Sequence, residues 1–397
     1  MIAGGIAGDA SLWRNRRDPA NFARLLPCAA RIDLSQGGKG SGAAFSKAYS
    51  ANRMTTTPSI WTPRDAASHS VNSDRLRLFA LQATAELGAA IAQRLGVALA
   101  AHEEREFEDG EHKARPLDIV RGTDVYVVQS LHGGPQQSAN DKLCRLLFFI
   151  GALKDAGAAQ VTAVVPYLCY ARKDRRTKPN DPVTTRYVAA MFEAVGTDAL
   201  VTLEVHNPVA FENAFRCRTV TLTTAPLFIE FAKTLGAEKL AVVSPDPGGT
   251  KRAELFREAL ELVLGRPVGK GFVDKRRSAG VLSGDLFVGE VAGATALIVD
   301  DLISTGHTLL RAARAVRQAG APSVIALVTH GLFMPGSADV LADAAIDRLV
   351  VTDAVPAFRL KPGPAREKIV TLPAAPLLAE TIRRLHGNGS LTDLLVF

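Results

Sequence analysis

From about residue 74 onward, short apolar runs alternate with stretches of helical periodicity. The apolar runs predict six strands: 124–130, 161–167, 199–206, 240–246, 295–301 and 323–331. The stretches between them predict four helices: 141–157, 183–196, 225–236 and 308–320. Such alternation is typical of an α/β protein whose sheets are mainly parallel and flanked by helices.

Two of these blocks resemble each other, which indicates an internal repeat. GTDVYVVQS and the segment after it align with GATALIVDD and its own following segment, so that Val128 matches Val299 and Gly157 matches Gly320. The connecting loop is eight residues longer in the first copy. The sequence therefore predicts two similar domains, 74–222 and 223–379, followed by a tail at 380–397 that packs back on the first domain.

Residues 1–73 lack sustained periodicity and are rich in small and polar residues, which predicts a poorly ordered or dispensable extension. Its arginines also permit a transit peptide, and Met54 offers an alternative translation start. This segment carries most of the excess charge, because residues 1–53 account for +5 of the formal +7 at pH 7. The rest of the chain is nearly neutral, which argues against a general nucleic-acid-binding face.

Composition narrows the class of protein further. With 397 residues, 47% of them apolar and 22% charged, the chain is long enough for two globular domains. No apolar run reaches the roughly 20 residues that span a bilayer, and the run at 146–153 predicts a buried helix. The four cysteines are far apart without zinc-site spacing, so a reducing, cytoplasmic setting is expected.

The segment LIVDDLISTGHTLL (297–310) carries the most specific chemistry. Asp300 and Asp301 end a predicted strand, and small hydroxyl and glycine residues then precede a helix. Backbone N–H groups at such a helix start can hold a phosphate monoester. The paired carboxylates can accept hydrogen bonds from sugar hydroxyls or hold hydrated Mg²⁺. The alternative is a helix-capping turn without a ligand.

Other strand ends carry further candidates, because ligands of open α/β sheets bind at the carboxyl ends of strands. Asp246 precedes two glycines, which otherwise form a plain turn, and LEVH (203–206) ends in His206, which is otherwise a structural histidine. The cationic loop YARKDRRTK (170–178) can clamp a polyphosphate or is a solvated surface. DKRRSAG (274–280) is expected to be a mobile cationic flap that stabilises transition-state charge.

These residues together resemble the ribose-phosphate diphosphokinase family, also called phosphoribosyl pyrophosphate synthetases. The likeness covers about residues 76–397 and rests on six motifs in the family's order. They are FEDGE (107–111), VRGTDVYVVQS (120–130), PYLCYARKDRR (166–176), LEVH (203–206), SPDPGGTKR (244–252) and VDDLISTGHT (299–308). The phosphate loop alone would also fit many phosphoribosyltransferases.

The resemblance implies two phosphoribosyltransferase-like domains and transfer of the diphosphoryl group of Mg-ATP to ribose 5-phosphate. It implies that ribose 5-phosphate is bound by Asp300, Asp301, Ser304, Thr305, Gly306, His307 and Thr308. It implies that ATP is bound by Arg172, Lys173, Asp174 and His206, with His206 and Asp246 as Mg²⁺ ligands and Lys275 and Arg277 as catalytic cations. Phe107, Asp109 and Glu111 would bind adenine from a neighbouring subunit, which implies a homo-oligomer built from dimers, with a hexamer as one option.

The sequence departs from the family pattern at several positions. Ser304 stands where Asp is usual, His307 where Gly is usual, and Glu204 where Asp is usual. The stretch after His206 lacks the glutamine-containing sequence that the family associates with phosphate activation and ADP inhibition, so such control is not expected. Two other functions compete, a non-catalytic regulatory subunit and a phosphoribosyltransferase. The full set of charged residues argues against the first, and the two-domain repeat argues against the second.

Overall fold

The fold is an α/β arrangement of two parallel or mainly parallel sheets with helices on their faces, as the sequence predicts. The computed structural model describes residues 74–278 and 281–395, and of 275–278 and 281–285 only the backbone. The prediction for residues 1–73 lies outside this range. All described residues belong to one compact unit, Pro58–Phe397.

The described chain is ordered into strands and helices with the following bounds. The strands are β1 (Leu76–Ala80), β2 (His102–Glu106), β3 (His112–Pro116), β4 (Asp124–Val128), β5 (Gln160–Val164), β6 (Ala199–Leu203), β7 (Arg218–Leu222), β8 (Leu240–Ser244), β9 (Gly269–Ser278), β10 (Val281–Gly289), β11 (Thr295–Ile303), β12 (Ser323–Gly331), β13 (Arg348–Thr352) and β14 (Ile369–Leu372). The α-helices are α1 (Ala85–Leu95), α2 (Ala139–Asp155), α3 (Thr184–Ala194), α4 (Pro208–Ala214), α5 (Ala225–Lys233), α6 (Thr250–Leu264), α7 (His307–Gln318), α8 (Ser337–Leu341), α9 (Pro364–Glu367) and α10 (Ala375–His386). Among the described residues, we find no helix with the length and hydropathy of a membrane span.

The first sheet has the strand order β1-β4-β5-β6-β7, and all its pairings are parallel. One face packs against α2 and α3, where Phe149, Ile150 and Phe192 are fully buried. The predicted strands at 124, 161 and 199 run two to three residues beyond the observed strand ends. The reason is that the chain turns at the carboxyl edge, where Glu204 has a left-handed φ of 36°.

The second sheet has the order β10-β9-β8-β11-β12-β13-β14, with α5 and α6 on one face and α7 on the other. Its β11-α7-β12 unit repeats the β4-α2-β5 unit of the first sheet. Val128 lies opposite Val164, and Val299 lies opposite Leu327. These pairs are equivalent in the repeat alignment, so the strand register confirms the internal repeat.

Two hairpins interrupt the alternation. The β2-β3 pair forms a separate antiparallel sheet, and β9 and β10 form an antiparallel hairpin at the edge of the second sheet. Within the segment 274–280, which is predicted to be a mobile cationic flap, Asp274–Ser278 belong to strand β9 of this hairpin. Cross-strand pairing with β10 supplies the backbone hydrogen bonds that the polar sequence alone does not indicate.

The last helix packs on the first sheet. Leu377, Leu378 and Ile382 of α10 are fully buried in the same cluster as residues of β1 and β4, and each contributes roughly 1.5–3 kcal/mol. His386 lies 2.8 Å from Asp124, and Leu395 pairs with Leu222 in an isolated antiparallel bridge. The end of the described chain thus stabilises the first sheet.

A buried basic cluster beside α2 is unusual for a protein interior. Lys142 is only 3% exposed, and its Nζ lies 3.2 Å from Nε2 of His132. Burial lowers the pKa of Lys142 to about 8 and that of His132 to about 3. Holding Lys142 protonated in this interior therefore destabilises the folded state at neutral pH.

We expect Lys142→Met to raise the free energy of unfolding at pH 7 by about 1–3 kcal/mol. The folded-state pKa of Lys142 is lower than its unfolded value. The destabilisation by protonated Lys142 is therefore largest below pH 8, where the side chain is charged in both states. The cost then shrinks as the pH rises to about 10.5. Denaturant unfolding at pH 7 and pH 10 measures the difference. Lys154→Met on the same helix, whose ammonium pairs with Asp198 near the surface, should show no such gain. A loss of stability in Lys142→Met at pH 7 would contradict the assignment.

Candidate functional site

The carboxyl ends of strands from both sheets open into one cleft of about 670 Å³. It is lined by Arg172, His206, Asp246, Asp300, Asp301, Val328 and residues 302–309. In parallel sheets this edge is the usual place for a ligand. The structure therefore brings together candidates that are up to 136 positions apart in the chain, from Arg172 to Thr308.

The acidic pair on β11 is held by a histidine and an arginine. Asp301 is 4% exposed, and its Oδ2 lies 3.0 Å from Nδ1 of His206, which follows β6 in the first sheet. Arg252 Nη1 approaches Oδ1 of Asp301 at 3.3 Å and Oδ1 of Asp300 at 3.5 Å. The Asp301 N–H also donates to Oδ1 of Asp300 at 2.9 Å. The two carboxylates are thus fixed before any ligand binds.

These contacts separate the acid strengths of the pair. Burial and the adjacent charge of Asp301 raise the pKa of Asp300 well above its usual value. Burial alone would do the same to Asp301, but the hydrogen bond from His206 and the charge of Arg252 outweigh it and lower its pKa. The hydrogen bond to Asp301 in turn raises the pKa of His206. Asp301 is consequently the more firmly ionised member of the pair.

The segment 304–308 forms a tight turn into α7. Gly306 has a φ of 87° and immediately precedes the first helical residue, His307. A Cβ at Gly306 would lie 2.7 Å from Cδ2 of Leu341, so the position has neither the backbone angle nor the space for a side chain. Nδ1 of His307 lies 3.0 Å from Oγ1 of Thr305. The turn presents hydroxyl and backbone N–H groups at a helix N-terminus, a suitable arrangement for an anion.

Asp246 and its glycines form a second turn at the end of β8. Oδ1 of Asp246 accepts the Gly249 N–H at 3.1 Å, and its backbone oxygen accepts from the Ser244 hydroxyl at 2.6 Å. A Cβ at Gly249 would lie 2.8 Å from Oγ of Ser244. The turn is therefore rigid, and it keeps the Asp246 carboxylate at the cleft.

Two residues of the cationic loop are engaged in local contacts instead. Lys173 Nζ donates to Oδ2 of Asp181 at 2.6 Å, and the same oxygen accepts the Thr177 and Lys178 N–H groups. Asp174 accepts from Nδ2 of Asn207 at 2.6 Å, which ties the loop to the start of α4. Neither Lys173 nor Asp174 lines the cleft. These contacts hold the loop that presents Arg172.

The predicted adenine-binding residues lie on the turn between β2 and β3. The Phe107 N–H donates to the Glu111 backbone oxygen at 2.8 Å, and the Glu111 N–H donates to Oδ1 of Asp109 at 3.0 Å. Phe107 is 41% exposed, with Arg105 5.0 Å above its ring. None of the three lines this chain's own cleft.

The predicted catalytic cations lie on β9. The backbone of Lys275 pairs with Asp285, and that of Arg277 pairs with Leu282. β9 continues past Phe272, the residue that pairs with the end of β8. The strand thereby leaves the sheet at the same carboxyl edge that opens into the cleft.

Sequence reasoning missed Arg252. The glycines of its segment predict a turn, and nothing local marks an arginine in the first turn of α6 as a partner of three carboxylates. Burial opposes its charge, but Asp301, Glu204 and Asp300 outweigh burial and raise its pKa. Among the described side chains, no group of three or more His, Cys, Asp or Glu could hold a metal ion by themselves.

Comparison with known proteins agrees with this architecture. Residues 76–196 match the family model for the N-terminal domain of ribose phosphate pyrophosphokinase, and 285–396 match that for the phosphoribosyl synthetase-associated domain. The chain is 36% identical to a ribose-phosphate pyrophosphokinase of Caldanaerobacter subterraneus, over 81% of this chain and 98% of that protein. It is 35% identical to one of Vibrio parahaemolyticus, over 80% and 98%.

A solved structure supports the same relationship. The crystal structure of phosphoribosylpyrophosphate synthetase from Mycobacterium smegmatis superposes with a TM-score of 0.70 at 32% identity. The alignment covers 80% of this chain and all of that one. The chain belongs to the ribose-phosphate pyrophosphokinase family.

Proposed function

We propose that the protein transfers the diphosphoryl group of Mg-ATP to the C1 hydroxyl of ribose 5-phosphate, giving phosphoribosyl diphosphate and AMP. One observation carries the proposal. A phosphate-sized turn and an acidic pair from one sheet share a single cleft with Arg172, His206 and Asp246 from other strand ends. A single cleft can thus hold a phosphosugar beside a polyphosphate.

On the sugar side, the turn from Ser304 to Thr308 binds the 5-phosphate through backbone N–H groups and hydroxyls. His307 adds an imidazole next to Thr305. Asp300 and Asp301 accept hydrogen bonds from the two vicinal ribose hydroxyls. The departures at 304 and 307 leave this role intact, since serine and histidine can both donate to phosphate.

On the nucleotide side, Arg172 binds phosphate oxygens of ATP, and His206 holds ATP through the Mg²⁺ that it would ligate. Lys173 and Asp174 hold the loop that carries Arg172. Asp246 and His206 are the proposed Mg²⁺ ligands, and bound Mg²⁺ neutralises phosphate charge. Two protein ligands suffice for Mg²⁺, because it keeps waters and substrate phosphates in its coordination sphere. The contact between His206 Nδ1 and Asp301 fits this role, since metal-binding histidines commonly donate their other ring N–H to a carboxylate.

The reaction requires positioning and charge neutralisation. The C1 oxygen attacks the β-phosphorus while the bond from that phosphorus to the α,β-bridging oxygen breaks. AMP leaves with the bridging oxygen, and the proton of the C1 hydroxyl passes to solvent. The fixed acidic pair and phosphate turn orient the sugar for this attack. Lys275 and Arg277 stabilise the charge on the reacting phosphates.

We further propose that the protein works as a cytoplasmic homo-oligomer based on dimers. Three residues lie on an exposed turn outside this chain's own cleft: Phe107, Asp109 and Glu111. This position supports the proposal that they bind the adenine of ATP in the cleft of a neighbouring subunit.

Gly306→Ala tests the phosphate turn. We expect a stability loss of about 2–4 kcal/mol and a rise in KM for ribose 5-phosphate of about tenfold or more, because both φ and Leu341 oppose the added methyl group. Gly336→Ala is the matched control, since Gly336 has a φ of 86° before α8 but nothing within 4 Å of an added Cβ. Thermal unfolding and steady-state kinetics measure both variants. Equal KM effects in the two variants would contradict the role of the turn.

The proposed function is tested by incubating the full chain with Mg-ATP and ribose 5-phosphate and separating the nucleotide and sugar products. We expect AMP and a sugar diphosphate in equal amounts. ADP with a sugar bisphosphate would mean monophosphoryl transfer. ATP binding by a folded protein without any product would favour a regulatory subunit.

A further inference from the structure

Arg252 contacts the acidic pair but does not line the cleft. It lines a neighbouring pocket together with Asp300 and Glu204, and its side chain is 18% exposed. It is the third residue of α6, where the positive end of the helix dipole disfavours a cation. Its position is therefore not explained by the stability of α6.

Three carboxylates from two sheets offset the unfavourable position of the Arg252 charge at the N-terminus of α6. Arg252 Nη1 faces Asp300 and Asp301 of β11, and Nε lies 3.6 Å from Oε2 of Glu204, which follows β6. These are ion-pair distances, and the three carboxylates surround one planar guanidinium group. One side chain thus links the ends of strands in both sheets.

Glu204 is itself tightly held. It is 7% exposed and adopts a φ of 36°, a left-handed conformation that costs a non-glycine residue about 1–2 kcal/mol. Its Oε1 accepts the Thr224 N–H at 3.1 Å and the Thr223 hydroxyl at 3.2 Å. The other oxygen, Oε2, faces Arg252. Strain of this kind persists where surrounding contacts fix the residue, and it is concentrated at functional sites.

We propose that Arg252, anchored by Glu204, is a positioning residue that fixes Asp300 and Asp301 in the orientation that engages the vicinal hydroxyls of the sugar. The inference rests on the proposed function and deepens it. Adjacent carboxylates repel each other, and a planar cation behind both of them holds them side by side. The arrangement makes Arg252 a determinant of selectivity for a sugar with a 2-hydroxyl group, without contact to the substrate.

The test compares Arg252→Met, Arg252→Lys and Glu204→Gln in the full chain, with ribose 5-phosphate and 2-deoxyribose 5-phosphate as alternative acceptors. We expect Arg252→Met to lower kcat/KM for ribose 5-phosphate by about 100-fold and the preference over the deoxy sugar by about tenfold, while KM for ATP changes less than about threefold. Arg252→Lys should recover part of both losses, because it keeps the charge but not the planar fork.

A double-mutant cycle tests the anchor. Glu204→Gln alone should cost about tenfold, but less than about threefold when added to Arg252→Met, because the carboxylate acts through the guanidinium. Arg257→Met is the matched control. It lies on the same helix, and its guanidinium pairs with Glu254 and Glu261 outside the cleft, so both acceptor preference and kcat/KM should stay unchanged.

The outcomes separate the two proposals. A wild-type chain that forms no sugar diphosphate overturns the proposed function itself, and the inference falls with it. An active wild type whose acceptor preference is unchanged in Arg252→Met, or whose single-variant effects add, overturns the inference alone. If Arg252→Met does not fold, the test rests on Arg252→Lys and Glu204→Gln, for which a smaller loss of acceptor preference is predicted. An unchanged preference in both variants would overturn the inference.

Discussion

Asp301→Asn should lower kcat/KM for ribose 5-phosphate by about 10²–10³-fold and leave the melting temperature within a few degrees of the wild type. The carboxylate of Asp301 binds His206 and Arg252 through separate oxygens. An amide has one acceptor oxygen, so it cannot hold both His206 and Arg252 and also accept from a sugar hydroxyl, and the orientation of the sugar is lost.

Stability should change little, because the substitution removes a repulsion together with an attraction. The adjacent charge of Asp301 is one cause of the raised pKa of Asp300. An uncharged residue at position 301 therefore removes a repulsion on the Asp300 carboxylate. Arg252 keeps Asp300 and Glu204 as partners. Its charge is therefore not left unpaired in the interior, which would be the costly outcome.

Asp347→Asn provides the opposite control. Asp347 accepts the Val324 N–H at 2.7 Å and pairs with Arg317 away from the cleft. We expect this variant to lose stability and keep its kcat/KM. If Asp301→Asn lost stability and activity to comparable degrees, the carboxylate would be a structural group and its assignment to the sugar would fail.

Lys275→Ala should reduce kcat by about 10²–10³-fold with little change in either KM. The expectation follows from where the backbone of β9 runs. Lys275 lies three residues beyond Phe272, the last residue paired with β8, which is about 10 Å past the carboxyl edge of the sheet. A cation there can meet charge that develops on the transferred phosphates and is absent in the ground state.

Lys270→Ala is the control on the same strand. Lys270 lies near the start of β9, and its side chain is 71% exposed with a distant ion pair to Glu254. Its removal should leave kcat and KM unchanged. A Lys275→Ala variant with a raised KM and normal kcat would mean that the residue acts equally in the ground and transition states.

The central strands were predictable from the sequence because they are apolar on both faces. β4, β5, β6, β8, β11 and β12 lie inside their sheets, and their continuous apolar runs are the sign of strands buried by helices. The separate β2-β3 hairpin was harder to predict. The β2 sequence HEERE is charged throughout, and it forms a strand only because β3 pairs with it.

The site shows the same division. Asp246, Asp300 and His206 could be placed from the rule that strand ends share one edge of a sheet. Arg252 could not, because its significance lies in three ion pairs with residues 48 and 49 positions away on both sides. The β9-β10 hairpin was also not predicted from the sequence. Its two strands form by pairing with each other, and the polar sequence of neither strand indicates that pairing by itself.

The destination of the β-phosphorus of ATP is the most direct measure of the proposed reaction. The full chain is incubated with Mg-ATP labelled in the β-phosphate and with ribose 5-phosphate, and the label is followed by chromatography. The account predicts that the label moves into the sugar diphosphate, with one AMP formed for each labelled product. Label that stays in nucleotide while the folded protein binds ATP would contradict it.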